Sequence, residues 1–132
     1  LLAQRLLAAT DWLQEQMLPE GAGLGYFGAS TGAAAALQAA ALRGPLIRAI
    51  VSRGGRPDLA EAYLSRVTAP TLLIVGERDP LVIELNEAAH GALETEKELV
   101  IVPGATHLFE EPGALEQVAD LARNWFQRYL GA

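Results

Sequence analysis

The feature that most constrains this chain is a set of short apolar segments, each bounded by Pro, Gly or a loop and each followed by a stretch of helical periodicity. The clearest is 71–75 (TLLIV), introduced by Pro70 and closed by Gly76. Five apolar or β-branched residues between breakers are too short for a helix and too apolar for a half-exposed strand, so they predict a strand buried on both faces. Segments 24–29, 46–52 and 98–102 predict three more strands. Helices are expected over 32–42, 59–67 and 82–93. Ahead of the first strand, Leu2, Leu6, Ala9, Leu13 and Met17 recur at helical spacing until Pro19, Gly21 and Gly23 break the pattern. Behind the last, Leu115, Val118, Leu121, Trp125 and Tyr129 mark a terminal amphipathic helix whose aromatic residues face a core. Strands that alternate with helices are joined by crossovers, which make the sheet parallel and cover both its faces. The expected class is α/β: one domain over 1–132 with a parallel sheet of about four strands and helices on both faces.

Composition narrows the function. Sixteen acidic against ten basic side chains leave a formal charge of −6, and no run of Lys or Arg occurs. That argues against nucleic acid or an anionic membrane surface as a partner. The absence of Cys excludes disulfides, thiolate metal sites and a cysteine nucleophile. No segment approaches the roughly 18 to 20 apolar residues of a membrane span, and no signal peptide is visible, although the chain opens on Leu1. A soluble cytoplasmic protein is expected.

The chemistry concentrates in Gly28-Ala29-Ser30-Thr31-Gly32, which fits G-x-S-x-G and stands between a predicted strand and a predicted helix. A serine on so sharp a turn has a strained backbone and projects its hydroxyl beyond the sheet. The residues two positions to either side approach each other there, so Gly28 and Gly32 are both expected to relieve a clash. The helix that follows points its N-terminus at the hydroxyl, and the Thr31 N–H is placed to donate to a developing oxyanion. A serine needs a base. Of the two histidines, His90 reads as a solvated mid-helix position, whereas His107 lies just past the last strand. The carboxyl ends of parallel strands share one edge, so Ser30 and His107 arrive there together. Asp79, which follows the third strand, reaches the same edge and can fix the imidazole; Glu77 is a possible substitute, and Arg78 reads as a solvated neighbour. The order Ser, Asp, His is that of α/β-hydrolases, not of the chymotrypsin or subtilisin types.

Segments 25–32 (GYFGASTG), 69–79 (APTLLIVGERD) and 102–107 (VPGATH) together resemble the α/β-hydrolase superfamily, and within it the dienelactone-hydrolase-like branch, which includes hydrolase domains fused to phosphoribosyltransferases. The resemblance covers essentially the whole chain. It implies Ser30 as nucleophile, Asp79 as acid and His107 as base. Dienelactone hydrolases proper use cysteine, so a serine points toward hydrolysis of a small carboxylic ester or thioester through an acyl-enzyme. The family fold has about eight strands, and this chain offers only the last four, a partial α/β-hydrolase fold. The second oxyanion donor of the family comes from a loop in the earlier half, and losing one such donor costs roughly 10²–10³ in rate. An uncovered edge at strand 24–29 invites pairing. A homodimer through that strand, or an N-terminal segment outside this chain, is expected to cover it. The contrasting expectation is a truncated, weakly active or inactive module that self-associates or serves a phosphoribosyltransferase partner.

Other signals rank lower. Gly23, Gly25 and Gly28 match G-x-G-x-x-G, but they run through a strand instead of opening a helix, and no acidic residue follows about twenty positions on, so no dinucleotide cofactor is expected. Arg53 and Arg56 flank Gly54-Gly55 at the active edge; they are placed either to bind a substrate carboxylate or phosphate or to pair with Asp58 and Glu61. The short link between the second and third strands leaves no room for a lid and implies an open, shallow site without interfacial lipase behaviour. Glu110 and Glu111 beside Pro112 are expected to open the last helix as dipole-favoured acids, and no metal site is expected.

Overall fold

The computed structural model describes every residue except Met17, Glu20 and Ala132, so the expected place of Met17 on the first helix lies outside the described residues. Four parallel strands form one sheet in the order β1 (Leu24–Ala29), β2 (Ile47–Arg53), β3 (Thr71–Gly76) and β4 (Lys97–Val102). Helix α1 (Leu2–Gln16) precedes β1, α2 (Thr31–Arg43) links β1 to β2, α3 (Pro80–Ala92) links β3 to β4, and α4 (Ala114–Leu130) follows β4. The link from β2 to β3 is a 3-10 segment, Pro57–Arg66, kinked at Ala60, where φ −116° and ψ 21° break the helical run. A short 3-10 turn at Gly44–Leu46 takes Leu46 out of the expected second strand, which at its other end runs on to Arg53, paired with Ala29 and Ile74.

The sheet is sandwiched unequally. One face carries α1, α2, α3 and the 3-10 segment over Ile47, Ile50 and Leu73. The other carries α4 alone, with Val118, Ala122 and Trp125 against Ala49, Val51, Leu72 and Ile74. Consecutive residues of β3 therefore feed opposite cores, and every residue of that strand is buried. A fully buried Leu or Ile side chain contributes about 1.5–3 kcal/mol relative to exposure, which is why TLLIV was so legible.

Alanine sets the spacing on the first face. Ala33, Ala34, Ala35, Ala36, Ala39 and Ala40 are all buried, and their short side chains let α2 lie close to the sheet, to α1 and to the 3-10 segment at once. Helix α1 is fastened by polar contacts instead: Thr10 Oγ1 donates to the Leu6 carbonyl at 2.7 Å and lies 2.6 Å from Tyr26 Oη, while Asp11 accepts two bonds from Arg43 at 2.8 and 2.7 Å. On the opposite face Trp125 Nε1 donates to the Pro70 carbonyl at 3.2 Å. Leu115, expected on the apolar stripe of the last helix, is 51% exposed, and Ala114 takes the buried place.

The outer edge of β1 has no strand partner among the described residues, and Phe27 on it is 51% exposed. No described helix is long and apolar enough to cross a membrane.

Candidate active site

The register of the sheet gathers the site. Ala29 lies beside Arg53, and Gly76 beside Val102, so the residues after β1, β3 and β4 all leave at one edge. Ser30 leaves β1 with φ 49° and ψ −122° and caps α2. A left-handed φ on a non-glycine residue is costly, and Ser30 is held in it by backbone. Its N–H meets the Arg53 carbonyl at 3.4 Å, and its carbonyl accepts from the N–H of Arg56 at 3.0 Å and of Ala33 at 3.2 Å.

Gly28 makes this turn possible. A Cβ there would stand 2.6 Å from the Gly32 carbonyl oxygen and 2.7 Å from the Ala33 nitrogen, both backbone atoms that cannot yield. Gly32 differs from the expectation: a Cβ there would meet nothing within 4 Å. The close approach is thus between the backbone of Gly32 and the α-carbon of Gly28, and only the latter must lack a side chain. The other glycines of the G-x-G-x-x-G match have packing reasons as well. Gly25 lies under the Phe126 ring, and Gly23 lies against the Arg48 side chain.

His107 Nε2 stands 2.9 Å from Ser30 Oγ, and His107 Nδ1 stands 2.7 Å from Asp79 Oδ2. An ionised carboxylate only accepts, so Nδ1 carries the proton and Nε2 is left to accept from the serine hydroxyl. The Asp79 side chain is 16% exposed and the imidazole 41%, so the acid is the more shielded member of the pair. Glu77, the alternative acid, is engaged elsewhere: its Oε1 accepts from the Gly104 N–H at 2.9 Å. Thr31 is exposed at the first turn of α2, where backbone N–H groups have no acceptor within the helix.

The two arginines part company. Arg56 donates from Nε and Nη2 to Asp58 at 3.0 and 2.8 Å, and the Arg56 guanidinium holds the Asp58 carboxyl below the usual carboxylate range. Arg53 makes a longer bond, 3.3 Å, to the Leu108 carbonyl and lies 5.4 Å over the Phe109 ring. No carboxylate pairs with it among the described ion pairs.

Several supporting residues carry no sequence signal of their own. Gly54, at φ 54°, lies against the imidazole: a Cβ there would stand 3.4 Å from both His107 Nδ1 and Cε1. Asn86, fully buried on α3, donates to the Gly55 carbonyl at 3.1 Å and so holds the 53–56 loop from the helix side. Glu111 does not open α4, which begins at Ala114 after a left-handed Gly113. It reaches back instead to Thr106, the neighbour of His107. His90 lies in the last turn of α3, half-buried, and its carbonyl accepts from Lys97 Nζ. Among the described residues no cluster of three or more His, Asp or Glu is placed to hold a metal ion.

The sequence profile of the dienelactone hydrolase family matches residues 1–130. The chain belongs to the dienelactone hydrolase family. Over 98% of its length it is 58% identical to a Mycobacterium tuberculosis protein named as a phosphoribosyl transferase, of which it spans 29%. It superposes on a dienelactone hydrolase from Anabaena variabilis with a TM-score of 0.94 and 58% identity, covering 98% of this chain and 60% of that one. An esterase domain from Rhodothermus marinus shares the fold at 21% identity and a TM-score of 0.82, with coverages of 98% and 70%. This dienelactone-hydrolase-type unit thus spans under a third of the mycobacterial relative and three fifths of the cyanobacterial one.

Proposed function

We propose that this unit hydrolyses small carboxylic esters or thioesters through an acyl-enzyme on Ser30. The observation that carries the reading is the unbroken hydrogen-bonded line from Ser30 Oγ through His107 to Asp79, at 2.9 and 2.7 Å. Membership of a hydrolase family supports it.

In this reading Ser30 Oγ attacks the carbonyl carbon while its proton passes to His107 Nε2. Asp79 stabilises the imidazolium through Nδ1–H without taking the proton itself. The Thr31 N–H bears part of the oxyanion charge, favoured by the N-terminus of α2. The protonated Nε2 then delivers its proton to the departing alkoxide or thiolate, and neutral His107 draws one from the water that releases the acid. Arg53, in none of the described ion pairs, receives an anionic end of the substrate, and Arg56 shares that rim with two of its donors committed to Asp58.

Ser30→Ala is expected to abolish turnover of p-nitrophenyl acetate without loss of the folded state. Turnover that survives the substitution contradicts the assignment.

A second reading takes the unit as a non-catalytic part that serves a phosphoribosyl transferase. It draws on the name of the mycobacterial relative. A folded chain whose serine stays inert toward an activity-based probe would favour it.

A further inference from the structure

The loop that carries His107 is folded tightly between β4 and α4. Three of its residues take left-handed φ: Gly104 at 72°, Phe109 at 57° and Gly113 at 82°. Phe109 is the costly one, because a phenylalanine pays for that conformation in backbone strain. Its ring is fully buried in the α4-side core, so the core anchors the loop two residues beyond His107. On the near side, Ala105 is fully buried, its carbonyl accepts from Arg78 N–H at 2.9 Å, and its own N–H meets the Val102 carbonyl at 3.3 Å. Between these two anchors stand Thr106, His107 and Leu108.

Apart from the partners of the His107 ring, two side chains bond that interval: Arg53 at the Leu108 carbonyl, at 3.3 Å, and Glu111 at Thr106. Glu111 Oε1 accepts from the Thr106 N–H at 2.9 Å, and Oε2 accepts from the Thr106 hydroxyl at 2.7 Å. Both oxygens of one carboxylate are thereby used by both donors of one residue, a bidentate arrangement that fixes direction as well as distance. We propose that Glu111 is the positioning residue for His107, acting through Thr106 to hold the imidazole between Ser30 and Asp79; the proposal rests on the reading of His107 as the base. Asp79 sets the ring's tautomer and one end of its axis. Glu111 holds the Thr106 end of the backbone from which the ring hangs, while the Phe109 N–H, donating to the Thr106 carbonyl at 3.1 Å, closes the turn on the far side. The same two Thr106 donors, the N–H first and the hydroxyl next, keep the Glu111 carboxyl below the usual carboxylate range, with the Arg78 charge adding to them. The strut is therefore in its ionised, bond-accepting form at neutral pH.

The chemistry of the pair ranks the variants. Glu111→Ala removes both acceptors. Thr106→Val removes the hydroxyl bond and keeps the N–H bond. Glu111→Gln keeps one acceptor and turns the other into a donor, which the Thr106 hydroxyl can accommodate by rotating to accept. Thr106→Ser keeps both bonds.

The test measures p-nitrophenyl acetate kinetics per active site titrated with a fluorophosphonate, so that any unfolded fraction drops out, together with the low-field proton signal of His107 Nδ1–H. For Glu111→Ala a fall of about 10- to 100-fold in kcat is expected, as for a misplacement of about 1 Å, with KM nearly unchanged. The low-field signal should broaden or vanish. Thr106→Val should fall between this and wild type, and Glu111→Gln and Thr106→Ser should stay within a few-fold of wild type. Wild-type kcat and a sharp signal in Glu111→Ala would overturn the proposal. If that variant does not fold, Thr106→Val decides by the same two readouts. If the wild-type chain turns over no ester, the reading of His107 as a base fails by itself, and the proton signal alone tells whether Glu111 holds the ring.

Discussion

The two halves of the site are held by different means. The Ser30 half is held by backbone: a left-handed φ of 49°, three main-chain hydrogen bonds and a glycine α-carbon pressed on the carbonyl of the next turn. The His107 half has main-chain anchors at Ala105 and Phe109 too, but adds carboxylates that the Ser30 half lacks among its described bonds: Asp79 on the ring, Glu111 on Thr106 and Glu77 on Gly104. A nucleophile must project one short hydroxyl from a fixed point, and a strained turn does that with main chain alone. An imidazole must be aimed at both of its nitrogens, and a carboxylate that accepts from Nδ1 orients the ring. Backbone constraint tolerates almost no change at the right atom; side-chain bracing should fail in steps.

The largest expected effect is on the carboxylate side. Asp79→Asn leaves the shape but replaces an acceptor-only carboxylate with an amide whose NH2 can donate to Nδ1 and turn the tautomer, and kcat should fall by about 10⁴, read from p-nitrophenyl acetate turnover at constant folded fraction. A loss of less than tenfold would show that the tautomer is fixed elsewhere. Next comes the backbone side. Gly28→Ala drives a Cβ into main-chain atoms and should destabilise the chain by about 1–3 kcal/mol, in the manner of overpacking, with labelling of Ser30 lost; chemical denaturation measures the first and an activity-based probe the second. Unchanged stability would mean that the turn is looser than its geometry.

Two smaller effects sharpen the contrast. At position 30 itself, Ser30→Gly should be more stable than Ser30→Ala by about 1–2 kcal/mol, because glycine adopts φ 49° without a Cβ penalty. Equal stabilities would remove strain from the account. Gly32→Ala should gain about 0.5–1 kcal/mol, since the site is open and alanine is the better helix former. A loss at Gly32 as large as that at Gly28 would restore the symmetric reading of the motif.

These differences also decide what could be read from the sequence. Strand β3 was legible because burial on both faces leaves an unbroken apolar run, and the turn at Ser30 was legible because the main chain demands glycine at position 28, a fixed offset from it. The demand on Gly32 was misjudged: residue spacing tells that two segments approach, not which of the two α-carbons is crowded. The expected strand at 46–52 starts one residue later because the 3-10 turn Gly44–Leu46, with Pro45 inside it, absorbs Leu46. At the other end the strand runs one residue further than expected, because Arg53 still pairs with Ala29 and Ile74 on its two sides. Glu111 was misread for a physical reason. Two acids before a proline look like the start of a helix, and a side chain that reaches back five residues across a loop follows neither the helical nor the strand period. A Thr before the histidine and an acid five residues on were the only traces available.

The central claim is that Ser30 is a nucleophile activated by His107. A fluorophosphonate probe followed by mass spectrometry of the digested protein tests it most directly. The account predicts one adduct, on the peptide containing Ser30, formed rapidly in the wild type and suppressed in His107→Ala. An adduct on any other residue, or equal labelling of Ser30 with and without the imidazole, would contradict it.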